Sequence, residues 1–272
     1  DPDFAVNGWM YVLYVADPDE DGVDDAEVSY SRLVRYTVIE NGAGELVAEP
    51  SSRLVLLGAT FGTGIPVLHS SHSAGKLAFL SDGSLIVAHG DGAHWNVTDP
   101  GGLDPAAFGP GKFGPEQDVG AFRAQEPRSL AGKLLRLDPA TGRGLADNPF
   151  YTGDPDTLES RLWARGLRNP FRFTLVPGTG PREALFVCDV GHSTWEELDL
   201  VRGGENFGWP CHEGAPEFAE YQANDPDGYC DALGPVSAPW LAWNHTLPGA
   251  LGFTGRAATG ACVYDGSDYP AT

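Results

Sequence analysis

Basic residues are scarce in this chain. Seventeen Lys and Arg stand against 38 Asp and Glu in 272 residues, a formal net charge of −21. Phosphate recognition needs a basic footprint, so neither nucleic acid nor an anionic membrane surface is expected as a partner. No apolar run approaches the roughly 18 residues of a membrane span, so no span is expected. No signal-peptide pattern is visible either. Amphipathic helical periodicity is missing throughout, which argues against a helical bundle. Cysteine is sparse, with four in all. Cys211 and Cys230 flank a loop rich in Gly, Pro and acidic residues, a spacing that suits a local disulfide made in an oxidising compartment. Cys188 and Cys262 lie inside apolar runs, where a second bridge and two buried thiols are both open.

Turn residues and aromatics are abundant. The chain carries 36 Gly and 22 Pro, spread between apolar runs, and 7 Trp, 9 Tyr and 13 Phe to fill a core. Strand-like runs recur at 9–15, 32–39, 76–80, 84–89, 133–138, 171–176, 184–190 and 262–266. Pairs such as Asn41-Gly42, Asp82-Gly83, Thr141-Gly142 and Pro177-Gly178 supply hairpin turns between them. The pattern predicts an antiparallel all-β fold, and a chain of this length can form it as one domain. Periodicity alone does not separate a propeller from a sandwich. The long irregular segment from Pro100 to Arg128 is expected as a surface loop over one rim, either shaping access to a site or decorating the surface.

Polar residues cluster at the ends of these runs. They are Ser70-Ser71-His72-Ser73-Ala74-Gly75-Lys76, His89-Gly90-Asp91-Gly92, Gly166-Leu167-Arg168-Asn169-Pro170, Asp189-Val190-Gly191-His192 and Phe207-Gly208-Trp209-Pro210. With DPDFAVNGWMYVLYV at the start, GKLLRLDP and DNPF in the middle and TGACVYDGSDYP near the end, the wording resembles the glucose/sorbosone dehydrogenase family. The resemblance covers most of the chain and implies a six-bladed β-propeller whose soluble members use pyrroloquinoline quinone (PQQ) and calcium. About four blades are expected from residues 1–272, the domain being incomplete at both ends.

Carried over by motif, the resemblance makes His72 the base that takes a hydroxyl proton while hydride leaves the same carbon. Asp91 orients and polarises that imidazole. Arg168 and Asn169 contact the quinone oxygens, and a fixed cation there stabilises charge developing on the ring. His72 also borders the cofactor. Gly191 and His192 offer backbone carbonyls to calcium, which takes oxygen ligands. The implied activity is PQQ- and calcium-dependent oxidation of an aldose or related polyol, passing electrons to an acceptor the sequence does not name, in a periplasmic or secreted protein.

Three positions depart from the pattern: His192 replaces Gln or Pro, Val190 replaces a Gln of glucose-oxidising relatives, and Asp265 stands where relatives carry Lys or Arg. An Asp facing a tricarboxylate is repulsive, with Arg256 a candidate to compensate. The rival expectation is therefore a non-catalytic propeller that binds protein or glycan, similar to hedgehog-interacting protein. Two further constellations stand apart. Asp17, Asp19 and Asp21 form DxDxDG, the opening of a calcium loop without its closing Glu, with Asp24 or Asp25 available to close it or else only a solvated hairpin tip. His69, His72, His89, Asp91 and His94 hold four of the seven histidines, but their spacing fits no finger or helix-borne metal motif.

Overall fold

The structure is a computed structural model that describes residues 1–19, 21–23, 28–264 and 266. The fold is nearly all β, in three antiparallel sheets. The first holds β1 (Trp9–Ala16), β2 (Ser29–Glu40), β3 (Leu46–Ala48), β4 (Leu54–Leu57) and β5 (Ile65–Val67). Long β2 pairs with all four of the others, opening with a hairpin that runs from Trp9 opposite Thr37 to Ala16 opposite Tyr30. The second sheet is the meander β6 (Ala74–Phe79), β7 (Leu85–His89), β8 (Lys133–Leu137) and β9 (Leu162–Arg165). The third is the meander β10 (Pro170–Leu175), β11 (Leu185–Asp189), β12 (Trp195–Val201) and β13 (Leu241–Asn244). Two short α-helices, α1 (Phe4–Asn7) and α2 (Ala219–Ala223), and six short 3-10 helices are the other regular elements among the described residues. Sheets built from consecutive strands and stacked in chain order follow the connectivity of a β-propeller.

The middle sheet shows why its strands read as continuous apolar runs. Side chains alternate along a strand. In β7, Leu85 and Val87 pack with Leu33, Leu57 and Ile65 of the first sheet. Ile86 and Ala88 pack with Phe173, Leu185 and Val187 of the third. Both faces are buried, so no polar alternation survives. Each fully buried side chain of this kind contributes about 1.5–3 kcal/mol. Two cations share this core: Arg136 is bonded to Asp82 at 2.7 Å and Asp147 at 2.8 Å, and Lys133 Nζ donates to the carbonyls of Arg123 and Ala131.

Two sequence expectations change. The strand run expected at 262–266 is not formed at 262–264 and 266, and Asp265 lies outside the described residues. The segment from Pro100 to Arg128 is not a surface decoration. Short 3-10 turns fold it inward, burying Phe113, Val119, Ala121, Phe122 and Ala124, with Arg123 fully enclosed. Its Phe122 packs with Trp209, Cys211 and Tyr221 in a third cluster. Cys211 and Cys230 are disulfide-bonded as expected, whereas Cys188 is a buried free thiol and Cys262 an exposed one. No helix among the described residues is long and apolar enough to cross a membrane.

Candidate active site

Four chain segments meet at one end of the second and third sheets: the turn before β6, the exit from β7, the turn before β10 and the exit from β11. Antiparallel pairing puts the start of one strand beside the end of the next, so each pair of segments shares an edge. His72 and Asp91 come from the first pair, Arg168 and Gly191 from the second.

His72 is the one described non-glycine residue with a left-handed backbone, at φ 51°. Such a conformation is disfavoured for a residue with a Cβ and persists only where the surroundings hold it. Here Gly92 N donates to His72 O at 3.0 Å and Gly90 N to Ser73 O at 3.0 Å. Gly90 must lack a side chain, since a Cβ there would collide with the His72 carbonyl. The result aims His72 Nδ1 at Asp91 Oδ1, 2.9 Å away. A carboxylate can only accept, so Nδ1 carries the proton and Nε2 keeps its lone pair. Burial pushes the His72 pKa down, nearby Arg168 pushes the same way, and Asp91 opposes both. The imidazole is therefore neutral at neutral pH.

Asp91 is fully buried. Burial resists its ionisation, but His72, Arg168 and the Ala93 N–H hold it below the ordinary carboxylate range. Oδ1 also accepts from Ala93 N at 2.9 Å, and Oδ2 accepts from Trp209 Nε1 at 2.8 Å. Its backbone is fixed by Arg168 O and by Arg123 Nε, which donates to Asp91 O at 2.9 Å.

Arg168 is also buried, its guanidinium carbon 5.4 Å from the Trp209 ring centre. Nη1 donates to Val190 O at 3.0 Å and to Gly191 O at 2.6 Å, while Nε has no partner. The turn is pinned by Asp189, whose two oxygens accept from the backbone N–H groups of Arg168 and Asn169. Burial pushes Asp189 up to about 7 despite those bonds. Asn169 O in turn accepts from Val190 N at 3.1 Å. Opposite, Glu213 Oε1 accepts from four successive backbone N–H groups, His192 to Trp195, at 2.6–3.2 Å. That one carboxylate shapes the loop carrying the Gly191 and His192 carbonyls. The His192 ring lies among Trp209, Phe218 and Tyr221.

The remaining candidates lie elsewhere. Ligand oxygens of Asp17, Asp19 and Asp21 gather within 4.8 Å of one another on the exposed β1–β2 hairpin. The histidines form no metal-binding group among the described residues. His89 is a core residue bonded to Gly90 O and Ser31 Oγ, with a pKa pushed to about 4 by burial. His94 pairs with Asp104 at 3.0 Å, and the His69 ring meets that of His94 at a tilt, centroids 4.3 Å apart. Asp24, Asp25 and Asp265 lie outside the described residues, and Arg256 is exposed. Trp209 stands in a motif picked out from sequence but was given no role there, and Glu213 and Arg123 were given none either. The signal for Trp209 was its place between a Gly and a Pro-Cys pair; nothing local marked the other two.

The chain is 33% identical over 202 residues to the HIPL1 protein of Arabidopsis thaliana, covering 68% of this chain and 25% of that protein. It is 22% identical over 269 residues to aldose sugar dehydrogenase YliI of Escherichia coli K12, covering 99% of this chain and 57% of that one. The solved PQQ-bound aldose sugar dehydrogenase of Streptomyces coelicolor shares the fold, with a TM-score of 0.56 at 22% identity over 90% of this chain and 52% of that chain. The chain thus spans between a quarter and a little over half of these relatives. Residues 1–271 match the description Glucose / Sorbosone dehydrogenase, and on that match the chain belongs to the glucose/sorbosone dehydrogenase family.

Proposed function

We propose that this protein is a sugar oxidoreductase that oxidises an aldose or related polyol at a hydroxyl-bearing carbon, using PQQ and calcium. The observation that carries the reading is the His72–Asp91 pair beside buried Arg168, a neutral base next to a fixed cation. The donor set fits the cofactor. A buried guanidinium with an unpartnered Nε–H is a donor that a ligand oxygen would satisfy, and the Gly191 and His192 carbonyls are the oxygen type calcium takes. Arg168 and Asn169 would contact the quinone, and Gly191 and His192 the cation. When bound, the quinone supplies the hydride acceptor.

The protein's own part is proton handling and electrostatics. His72 Nε2 takes the hydroxyl proton. Asp91 keeps Nδ1 protonated and stabilises the imidazolium that forms. Arg168, held in place by its carbonyl contacts, stabilises negative charge developing beside it. The Cys211–Cys230 disulfide supports a periplasmic or secreted setting. The partners are a small sugar and a separate electron acceptor.

A second reading is a propeller-scaffold module that binds protein or glycan without redox chemistry. One observation favours it: the Gly191 carbonyl that calcium would use is already held by Arg168. Calorimetric titration of PQQ with calcium, followed by dye-linked oxidation of aldoses, separates the two. Saturable binding and turnover support the dehydrogenase. Absence of both leaves the binding module.

A further inference from the structure

The geometry points to Trp209 as the positioning residue of the site, holding the carboxylate of Asp91 so that His72 keeps one tautomer. The inference deepens the proposed function, since it takes His72 as the base. It begins from a single bond, Trp209 Nε1 to Asp91 Oδ2 at 2.8 Å, made between residues from separate segments of the chain. Asp91 Oδ1 serves His72 and Ala93 N. Without the indole, Oδ2 would be a buried carboxylate oxygen lacking a donor, and a turn about the carboxylate axis would cost little. With it, both oxygens are committed and the plane of the carboxylate is fixed.

An indole suits this task because it donates and never accepts. It steadies the charge on Asp91 without competing for the proton. The ring itself has little freedom. Trp209 N donates to Gly166 O at 3.0 Å, and Gln125 Nε2 donates to Trp209 O at 2.7 Å. Tyr221 meets the ring edge-on at 5.2 Å, and the Cys211–Cys230 bridge anchors the chain two residues later. The same ring lies under the Arg168 guanidinium. One side chain therefore sets both the proton-handling pair and the cation.

Trp209→Phe tests this by keeping an aromatic ring and removing the donor. In the cofactor-free protein, nitrogen-15 shifts should report His72 as a single Nδ1–H tautomer in the parent and a mixture in the variant. In the loaded enzyme, kcat should fall roughly ten- to a hundredfold with KM nearly unchanged, as expected for a misplaced catalytic group. In an Asp91→Asn background the same substitution should cost nothing further, because the residue it acts through is already changed. A folded Trp209→Phe protein with parental His72 shifts overturns the inference. If Trp209→Phe does not fold, the indole proton decides. It should exchange slowly in the parent and move on Asp91→Asn, and an indifferent resonance overturns the inference. A parent without sugar oxidation sinks the functional reading alone, since the tautomer measurement still stands.

Discussion

His72 and Asp91 carry the first test at the scale of single residues. If His72 Nε2 takes the substrate proton, His72→Ala should lose turnover by about 10²–10⁴-fold while cofactor binding persists, measured by dye reduction and calorimetry. Asp91→Asn should fold normally and also lose turnover, because an amide can present a donor to Nδ1 and favour the wrong tautomer. Unchanged sugar oxidation in His72→Ala would remove the assignment. A second residue-scale effect concerns stability. Burial pushes Glu197 up to about 8, with Asp189 and Glu213 adding to the shift, and burial raises neighbouring Asp199 as well. An acid with a raised folded pKa stays protonated in the fold while the unfolded chain ionises. Its contribution is complete below the unfolded value near 4.3 and is lost as pH rises toward about 8. Stability should therefore decline between about pH 5 and pH 8, by at most about 1.4 kcal/mol per pH unit for each such group. Glu197→Gln should flatten this slope and exceed the parent in urea midpoint at pH 8. A parental slope in the variant would show that Glu197 is ionised in the fold.

At the scale of elements, legibility followed burial. β1, β7, β8 and β11 were readable because their apolar runs are long and bounded by turns. β12, with the sequence WEELDLV, was not, since three carboxylates in seven residues read as a polar segment. Glu196 is bonded to Gly191 N and His245 and Glu197 to Gly214 N, whereas Asp199 is buried without a hydrogen-bond partner and burial favours its neutral form. The candidate site residues at strand ends stand out by motif resemblance, whereas Trp209 and Glu213 are joined to the site by bonds between distant segments that no local pattern announces. Pro100–Arg128 misled for the same reason: its Gly and Pro content says loop, but its Phe and Ala residues pack inward. The β1–β2 hairpin yields an element-scale prediction. Asp17, Asp19 and Asp21 bring three carboxylates together, as a hard cation requires, and Gly22 N donates to Asp17 at 2.8 Å to curl the loop. Calcium should raise the melting temperature of the parent more than that of Asp19→Ala/Asp21→Ala. Equal responses would mean that the hairpin is merely a solvated acidic tip.

At the scale of the molecule, the excess of acidic groups governs the long-range forces. A net charge of −21 places self-repulsion on the compact state, and four of the 17 cations are enclosed. Arg136 is buried between Asp82 and Asp147, and Arg123, Lys133 and Arg168 are enclosed. Carboxylates are buried as well, among them Asp91, Asp99, Asp189, Glu196, Glu197 and Asp199, and the remaining surface is still strongly acidic, with a repulsion that acts over distances salt can cut. Moving from 0.01 to 0.1 M ionic strength shortens the screening length from about 30 to about 10 Å. If relief of repulsion is worth about 1 kcal/mol, the melting temperature should rise by roughly 2–4 °C for a chain of this size. The comparison that isolates screening uses sodium chloride and calcium chloride at equal ionic strength, with a chelator in the sodium arm. Screening moves both arms together. An excess in the calcium arm that disappears in Asp19→Ala/Asp21→Ala measures specific ligation at the hairpin, and an excess that remains points to the Gly191–His192 carbonyls. A melting temperature that falls with sodium chloride would show that attractive pairs such as Arg136 with Asp82 outweigh the repulsion, and that the acidic surface costs the fold little.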